Sequence, residues 1–209
     1  SPDGSKVAFL SDRSGYFDVW LQDVESEKLH RLLQGERSGG FEQLKWLDAR
    51  ISWSPDGKKL VFASKAGRLD EIHILDVKHR EVVRSLRFDL DGLFNPTFSP
   101  DGTKIAFVGL KNGASDIYYY DLALDKLAQV TFDIFSDDDP AWTPDSQELV
   151  FVSDRGDSLR VKDYSEDVKI WQGNYRSTDI YRIRPGEVNA ERLTATATNE
   201  RTPTFSPDG

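Results

Sequence analysis

Four copies of a Ser-Pro-Asp-Gly sequence divide the chain into segments of similar length. They begin at Ser1, Ser54, Ser99 and Ser206, and a degenerate copy, Thr-Pro-Asp-Ser, begins at Thr143. Successive copies start 53, 45, 44 and 63 residues apart. A repeat at this spacing indicates that one small structural unit is built several times and that the copies stack on one another.

The repeat has the composition of a tight turn between antiparallel strands. Serine suits the first position of a type I turn, proline presets φ at the second, and glycine accepts a positive φ at the end. An aromatic residue precedes every copy but the first: Trp53, Phe98, Trp142 and Phe205. We therefore predict that each copy is a hairpin turn that follows an inner strand.

Three more strands are predicted after each turn. A strand that is apolar on both faces, and therefore buried on both sides, comes first, at 7–10, 60–63, 105–108 and 149–152. A strand that begins with an acid follows, at 18–20, 71–73, 116–118 and 179–181. An outer strand ends the unit, at 29–33, 82–86, 127–131 and 192–194. Four strands in about 45 residues match one blade of a β-propeller, and no segment favours a helix.

The repeat resembles that of TolB-like, WD-repeat-like β-propellers, in which Phe-x-Ser ends the apolar strand and Asp-Ile-Tyr and Leu-Thr follow. The matching sequences are Phe62-Ala63-Ser64, Phe151-Val152-Ser153, Asp116-Ile117-Tyr118 and Leu193-Thr194. The resemblance covers essentially the whole chain and implies a six-bladed ring and a bacterial envelope protein, periplasmic or secreted. The same repeat also occurs in the propellers of prolyl oligopeptidase-like enzymes.

We predict an all-β fold made of one propeller domain over residues 1–209. Its four-stranded antiparallel blades lie at about 1–50, 51–94, 95–139 and 140–201, and 202–209 supply the inner strand of a next or closing blade. Two arrangements stay open: 202–205 could close a ring of four blades, or the chain is a segment of a larger ring, cut from a longer protein. The resemblance favours the larger ring.

Composition excludes several function classes. The net charge is -9 and the basic residues are scattered, which argues against nucleic acid or an anionic membrane as the main partner. The absence of cysteine excludes disulfides, thiolate metal sites and a cysteine nucleophile. No apolar run approaches the roughly 20 residues of a membrane-spanning helix.

Two insertions lengthen the repeat, at 35–50 and 154–178, and propeller geometry predicts that both lie on the face opposite the turns. Aromatic and arginine side chains in loops on a rigid scaffold are typical of binding sites. The predicted residues for binding a protein or peptide partner are Phe41, Trp46, Arg160, Tyr164, Trp171 and Tyr175. The alternative is that these aromatic side chains pack on a neighbouring blade.

Polar residues before the inner strands are predicted to line the mouth of a central channel. Aligning the segments that precede each turn gives this set: Asp48, Arg50, Asn95, Asp137, Asp138, Asp139 and Glu200. Their carboxylates could hold calcium or a basic peptide end, although no calcium-loop sequence is present and acidic loops are commonly just solvated. No cofactor is expected.

Catalytic patterns are absent from the sequence. Gly35 to Gly39 has the wrong spacing for a Gly-x-Ser-x-Gly elbow, and His73 aligns with Trp20, Tyr118 and Tyr181, so we expect it to fill an aromatic position. We therefore expect a non-catalytic propeller that binds other proteins, and the resemblance to TolB-like propellers implies that it does so in the bacterial envelope. The alternative is the gating or substrate-docking propeller of a prolyl oligopeptidase-like serine peptidase.

Overall fold

The computed structural model describes residues 1–15, 18–35, 43–44, 50–66, 69–155 and 177–206, with the backbone alone at 43–44, 66 and 69. Every regular element in these ranges is a β-strand, so they contain no helix that could cross a bilayer. The chain forms two compact units, Ser1–Phe98 and Ser99–Gly209.

The strands form four antiparallel sheets, one for each predicted blade. The first contains β1 (Lys6–Ser11), β2 (Asp18–Asp23) and β3 (Leu29–Leu33). The second contains β4 (Gln43–Leu44), β5 (Ile51–Trp53), β6 (Lys59–Ala66), β7 (Leu69–Asp76) and β8 (Glu81–Leu86), with β4 and β5 both paired to β6. The third contains β9 (Gly92–Phe98), β10 (Lys104–Lys111), β11 (Ala114–Asp121) and β12 (Lys126–Gln129). The fourth contains β13 (Asp137–Trp142), β14 (Leu149–Ser153), β15 (Asp179–Ile183) and β16 (Glu191–Arg192).

The predicted strands are confirmed in all four sheets, but two outer strands are shorter than expected. They end at Gln129 and Arg192, although the next N–H groups, those of Val130 and Leu193, still donate to the Ile117 and Ile180 carbonyls at 2.8 Å. The Thr131 Oγ1 accepts the Ile117 N–H at 2.9 Å, and the Thr194 Oγ1 accepts the Ile180 N–H at 2.9 Å. A threonine hydroxyl thus replaces the strand carbonyl at the same place in both sheets.

The structure assigns no strand at 202–205, and Thr202 has a left-handed φ of 52°. Residues 207–209 lie outside the described residues, so the prediction that 202–209 supply the inner strand of a next or closing blade stays a prediction.

The copies at Ser54 and Ser99 and the degenerate copy at Thr143 are confirmed as hairpin turns with one shared hydrogen-bond network. In the copy at Ser54, the Gly57 N–H donates to the Ser54 carbonyl at 2.9 Å, and Gly57 has a φ of 67°. The Ser54 Oγ donates to Asp56 at 2.6 Å and accepts the Lys59 N–H at 2.9 Å. The hydrogen bond from the Ser54 hydroxyl contributes most to lowering the pKa of Asp56 below its usual value.

Removal of the turn hydroxyl is expected to destabilise the fold. Ser99 is fully buried, and its Oγ accepts the Lys104 N–H at 2.9 Å. Ser99→Ala leaves that N–H without its acceptor and should lower the free energy of unfolding by about 1–2 kcal/mol in urea denaturation. Thr143→Ser is the control, because Thr143 makes the same bonds in the degenerate copy. Equal free energies for the two variants would contradict a structural role for the hydroxyl.

Each sheet places an aromatic pair in the same register on its two central strands. The pairs are Phe9 with Trp20, Phe62 with His73, Phe107 with Tyr118, and Phe151 with Tyr181. The ring centroids are 5.4 Å apart for Phe62 and His73 and 5.9 Å apart for Phe107 and Tyr118. The prediction that His73 fills an aromatic position is therefore confirmed.

The cores consist of the apolar strands that follow the turns. Leu60, Ile105 and Leu149 are fully buried, and burial of such a side chain contributes about 1.5–3 kcal/mol. Val7 occupies the same place in β1 and is 51% exposed. The reason is that β1 lies at the edge of a three-stranded sheet, where the other sheets have an inner strand.

Candidate functional site

The predicted partner-binding residues lie outside the described residues, as does Asp48, so the binding prediction stays a prediction. These residues are Phe41, Trp46, Arg160, Tyr164, Trp171 and Tyr175. The ends of the second insertion are described, at Asp154 and Arg155 on one side and at Ser177 and Thr178 on the other.

Both ends of this insertion are fixed by hydrogen bonds to the segments that follow the outer strands β12 and β16. The Asp154 Oδ1 accepts the Ser136 N–H at 2.9 Å. The Thr178 Oγ1 donates to the Glu200 carbonyl at 2.9 Å, and the Glu200 N–H donates to the Thr178 carbonyl at 2.9 Å. We call residues 131–136, between β12 and β13, the third connection, and residues 194–201, after β16, the fourth connection.

Arg155 is the centre of a buried ion cluster beneath the third connection. Its Nη2 lies 2.7 Å from both Asp137 carboxylate oxygens and 3.2 Å from Asp133 Oδ2. Its Nε donates to the Ser153 Oγ at 2.9 Å. The guanidinium carbon lies 5.0 Å from the centre of the Phe151 ring, within the range of a cation–π contact.

This cluster holds more negative than positive charge. Burial raises the pKa of Asp137 to about 7, because desolvation and nearby Asp133 outweigh the attraction of Arg155. Burial and nearby Asp133 likewise raise the pKa of Asp116, to about 6. Burial is also the first cause of a raised pKa at Asp154. Perturbed carboxylates of this kind mark candidate functional regions, but they also occur in structural ion clusters.

The four described channel-mouth acids, Asp137, Asp138, Asp139 and Glu200, all have structural partners. Asp137 is fully buried against Arg155, whereas Asp138 is exposed and accepts the Asp139 N–H at 2.7 Å. The Asp139 Oδ2 accepts the Thr202 N–H at 2.8 Å, so the structure brings β13 and the end of the fourth connection together. Glu200 accepts hydrogen bonds from the hydroxyls of Thr194 and Thr196.

Residues that align just before the turns share a backbone feature. Asn95, Asp139 and Thr202 have left-handed φ values of 49°, 53° and 52°. Short polar side chains tolerate this conformation better than most residues, which explains Asn95 and Asp139 but not the β-branched Thr202. Arg50, at the same aligned place before β5, is half-buried. Asn95 and Asp139 thus lie within β9 and β13, whereas Thr202 lies in no assigned strand, and their predicted place at a channel mouth stays a prediction.

The strand register corrects the alignment of the first insertion. Asp137 pairs with Ser153, and the equivalent Ser64 pairs with Leu44. The insertion therefore interrupts the inner strand between β4 and β5, and it does not simply precede that strand. Counting residues back from the turn aligned Asp48 with Asp137. The strand pairing instead makes Leu44 the equivalent of Asp137, because Leu44 pairs with Ser64 as Asp137 pairs with Ser153.

The third connection exposes two large apolar side chains. Phe132 is 55% exposed and Ile134 is 52% exposed. Phe135, which follows them and precedes β13, is only 2% exposed. The Asp133 Oδ1 accepts the Phe135 N–H at 2.9 Å. Neither residue was among the predicted site residues, and the signal in the sequence is three large apolar residues in the run Phe132-Asp133-Ile134-Phe135.

A repeated Ser-Asp-Arg sequence was also missed. It follows β-strand phenylalanines at Phe9 and Phe151 and ends at Arg13 and Arg155. The Arg13 guanidinium lies 5.1 Å from the Phe9 and Trp20 ring centres and its Nε donates to Ser11 at 3.1 Å. The two arginines therefore stack on their blades' aromatic pairs in the same way, but Arg13 is exposed.

The constellation that most resembles a catalytic group is buried. His73 Nε2 lies 2.8 Å from the Ser64 Oγ, which is a distance expected of a nucleophile and its base. However, His73 Nδ1 faces the Ser85 Oγ at 2.8 Å, and Glu71 pairs with Arg87. Burial lowers the pKa of His73 to about 4. Because Ser64 is 0% exposed, a substrate has no access to it in this structure.

No group of three or more His, Cys, Asp or Glu side chains within the described ranges is arranged to hold a metal ion. The carboxylates of the fourth sheet bind arginine, threonine and backbone N–H groups instead.

Comparison with known proteins identifies the repeat. The sequence profile of the TolB beta propeller domain matches residues 51–169, which is more than half of the chain. An uncharacterized protein of Agrobacterium fabrum is 28% identical over 168 residues, covering 73% of this chain and 52% of its own length. The Tol-Pal system protein TolB of Francisella tularensis is 33% identical over 138 residues, covering 64% of this chain and 31% of its own. The chain thus spans about half, or less, of the length of these curated relatives.

Solved structures agree on the fold. TolB from Acinetobacter baumannii superposes with a TM-score of 0.72 at 22% identity, over 100% of this chain and 45% of that one. A prolyl endopeptidase superposes with a TM-score of 0.57 at 18% identity, over 92% of this chain and 28% of that one. The predicted all-β propeller fold is confirmed, and the chain belongs to the TolB beta propeller domain family.

Proposed function

We propose that this chain is a non-catalytic scaffold for protein–protein interaction in the bacterial cell envelope. The observation that carries the proposal is the third connection, which is anchored by buried charged groups and presents Phe132 and Ile134 to solvent. A rigid loop with exposed apolar and aromatic side chains is typical of a protein-binding surface. The buried constellation around His73 gives no support to catalysis.

The relatives support the envelope location. One of them is named as the TolB protein of a Tol-Pal system, and we extend a role in such a system to this chain. A periplasmic or secreted location is part of the same proposal. So is the division into one propeller domain with blades at about 1–50, 51–94, 95–139 and 140–201.

The second insertion is proposed as part of the binding surface, because both of its ends are fixed by hydrogen bonds to the connections. The proposal includes Arg160, Tyr164, Trp171 and Tyr175, together with Phe41 and Trp46 of the first insertion. A prolyl endopeptidase shares the fold at 18% identity, which shows the fold alone and does not favour the peptidase alternative.

Replacing residues 156–176 by a short Gly-Ser linker tests this role while retaining Arg155 and Ser177. We expect recovery of a partner from a bacterial envelope extract to fall at least about tenfold, as expected for loss of about 1.4 kcal/mol of binding free energy. The control is a variant with the exposed Leu124 replaced by serine, since Leu124 lies in the β11–β12 turn. If the unmodified chain, the linker variant and Leu124→Ser recover every envelope protein equally, the insertion is not part of the binding surface. If none of them recovers an envelope protein, the scaffold function is contradicted.

A further inference from the structure

The third connection differs from the equivalent segments of the neighbouring repeats. Phe88 and Leu90 stand at the same distance before Asn95 as Phe132 and Ile134 stand before Asp139. Leu90 is 9% exposed, whereas Ile134 is 52% exposed. The fourth connection has alanines, Ala195 and Ala197, at these places. Of these three segments, only the third connection presents two large apolar side chains to solvent.

The exposed pair is held in place by its neighbours. Asp133 has a side chain that is 4% exposed, and it forms an ion pair with Arg155 at 3.2 Å. Phe135 is buried with its ring centre 5.9 Å from the Arg155 guanidinium carbon. Because Phe132 and Ile134 alternate with these anchors, a partner would meet a preorganised surface and would lose less conformational entropy on binding.

Among the described residues, the charged groups next to this pair are predominantly negative. Asp133, Asp137 and Asp154 share one described arginine, Arg155. The raised pKa values of Asp137 and Asp154 are consistent with excess negative charge in a poorly solvated place. Apolar side chains bordered by carboxylates complement a segment that carries both an apolar side chain and lysine or arginine.

We propose that Phe132 and Ile134 form a docking surface for a basic segment of a protein partner, with an apolar side chain of that segment packed on these two residues. This proposal rests on the proposed scaffold function and specifies the chemistry of the partner.

A displayed library of random peptides, selected on the whole chain, is the probe for this surface. We expect the enriched peptides to share a large apolar residue next to lysine or arginine. For a peptide so selected, Phe132→Ser/Ile134→Ser should weaken the affinity at least about tenfold, whereas Leu124→Ser should change it less than about twofold. Leu124 is the matched control because it is 73% exposed but lies in the turn between β11 and β12.

Ionic strength and pH provide independent readouts. Binding should weaken as salt is added, because exposed charges are screened. It should strengthen as the pH rises through about 6 to 7, because Asp116 and Asp137 lose their protons in this range. Phe132→Ser/Ile134→Ser should leave the melting temperature unchanged, since both native side chains are exposed.

Several results would overturn the proposal: enrichment of acidic or uncharged peptides, no enrichment at all, or equal weakening by Leu124→Ser. A drop of several degrees in the melting temperature of Phe132→Ser/Ile134→Ser would also do so, because it would show that the pair packs within the chain. If that variant still recovers the envelope partner at the level of the unmodified chain, this docking surface is wrong and the scaffold function stands. If selected peptides bind as expected but no envelope protein is recovered, the surface stands and the scaffold function fails.

Discussion

Arg155→Met is expected to lower the free energy of unfolding of the second unit by about 3–5 kcal/mol, because removal of one partner from a buried ion cluster leaves uncompensated charge. Arg155 is 7% exposed, Asp137 is fully buried, and the Asp133 side chain is 4% exposed. Methionine retains much of the apolar contact with Phe151 but provides no charge. Urea denaturation near neutral pH is the measurement.

The loss of stability caused by Arg155→Met should increase with pH. Burial already raises the pKa of Asp137, and loss of Arg155 removes the attraction that opposes this change. A carboxyl group whose pKa is raised in the folded state destabilises the fold when it is ionised. The free energy of unfolding therefore falls as the pH rises through the pKa that the group has in the folded chain. The difference between Arg155→Met and the unmodified chain should therefore grow from mildly acidic to mildly alkaline pH.

Arg13→Met is the matched control, because Arg13 ends the same Ser-Asp-Arg sequence and stacks on Phe9 and Trp20 but is exposed. Arg13→Met should lower the free energy of unfolding by about 0.5–1 kcal/mol, which is the usual contribution of an exposed cation–π contact. Adding Asp137→Asn to Arg155→Met should restore part of the lost stability by removing an unpaired charge. Equal costs for Arg155→Met and Arg13→Met would contradict the cluster's structural role.

The fold was predictable because its signals are local. The hairpin turn at Ser54 depends on four consecutive residues, and the strand at Leu29–Leu33 was predicted with its observed bounds. The aromatic position of His73 followed from alignment with Tyr118 and Tyr181, since the repeat fixes the register of the central strands.

What sequence analysis could not predict depends on contacts between distant residues. Asp133, Asp137 and Arg155 come from a connection, an inner strand and the end of the next strand, and no pattern along the chain pairs them. Counting residues also failed at the first insertion, where Leu44 pairs with Ser64 because the extra residues interrupt the inner strand.

Acidification is expected to destabilise the first unit by about 3 kcal/mol through His73 alone. Burial lowers its pKa from 6.5 to about 4, and each pKa unit corresponds to about 1.4 kcal/mol. The neutral imidazole fits its surroundings: Ser64 from β6 and Ser85 from β8 face its two nitrogens at 2.8 Å. The charged groups near it are Glu71 on β7, at 4.0 Å, and Arg87, which follows β8.

The direction of this effect follows from where the proton binds. Between pH 6.5 and 4 the unfolded chain binds a proton at His73 and the folded chain does not, so acid stabilises the unfolded state. The contribution is fully present above pH 6.5 and is lost as the pH falls through this window. Asp116 and Asp137 in the second unit have raised pKa values and should act in the opposite direction.

His73→Tyr isolates the effect, because tyrosine occupies the same register in the third and fourth sheets. The free energy of unfolding of this variant, measured in urea between pH 6.5 and 4, should fall less steeply than that of the unmodified chain. At the acid end, the two losses of stability should differ by about 3 kcal/mol. If this variant does not fold, the imidazole can be titrated directly by NMR in the unmodified chain, where a midpoint near 4 is expected. A midpoint near 6.5 would show that His73 is not buried as a neutral group, and the pH dependence of the first unit would then require another source.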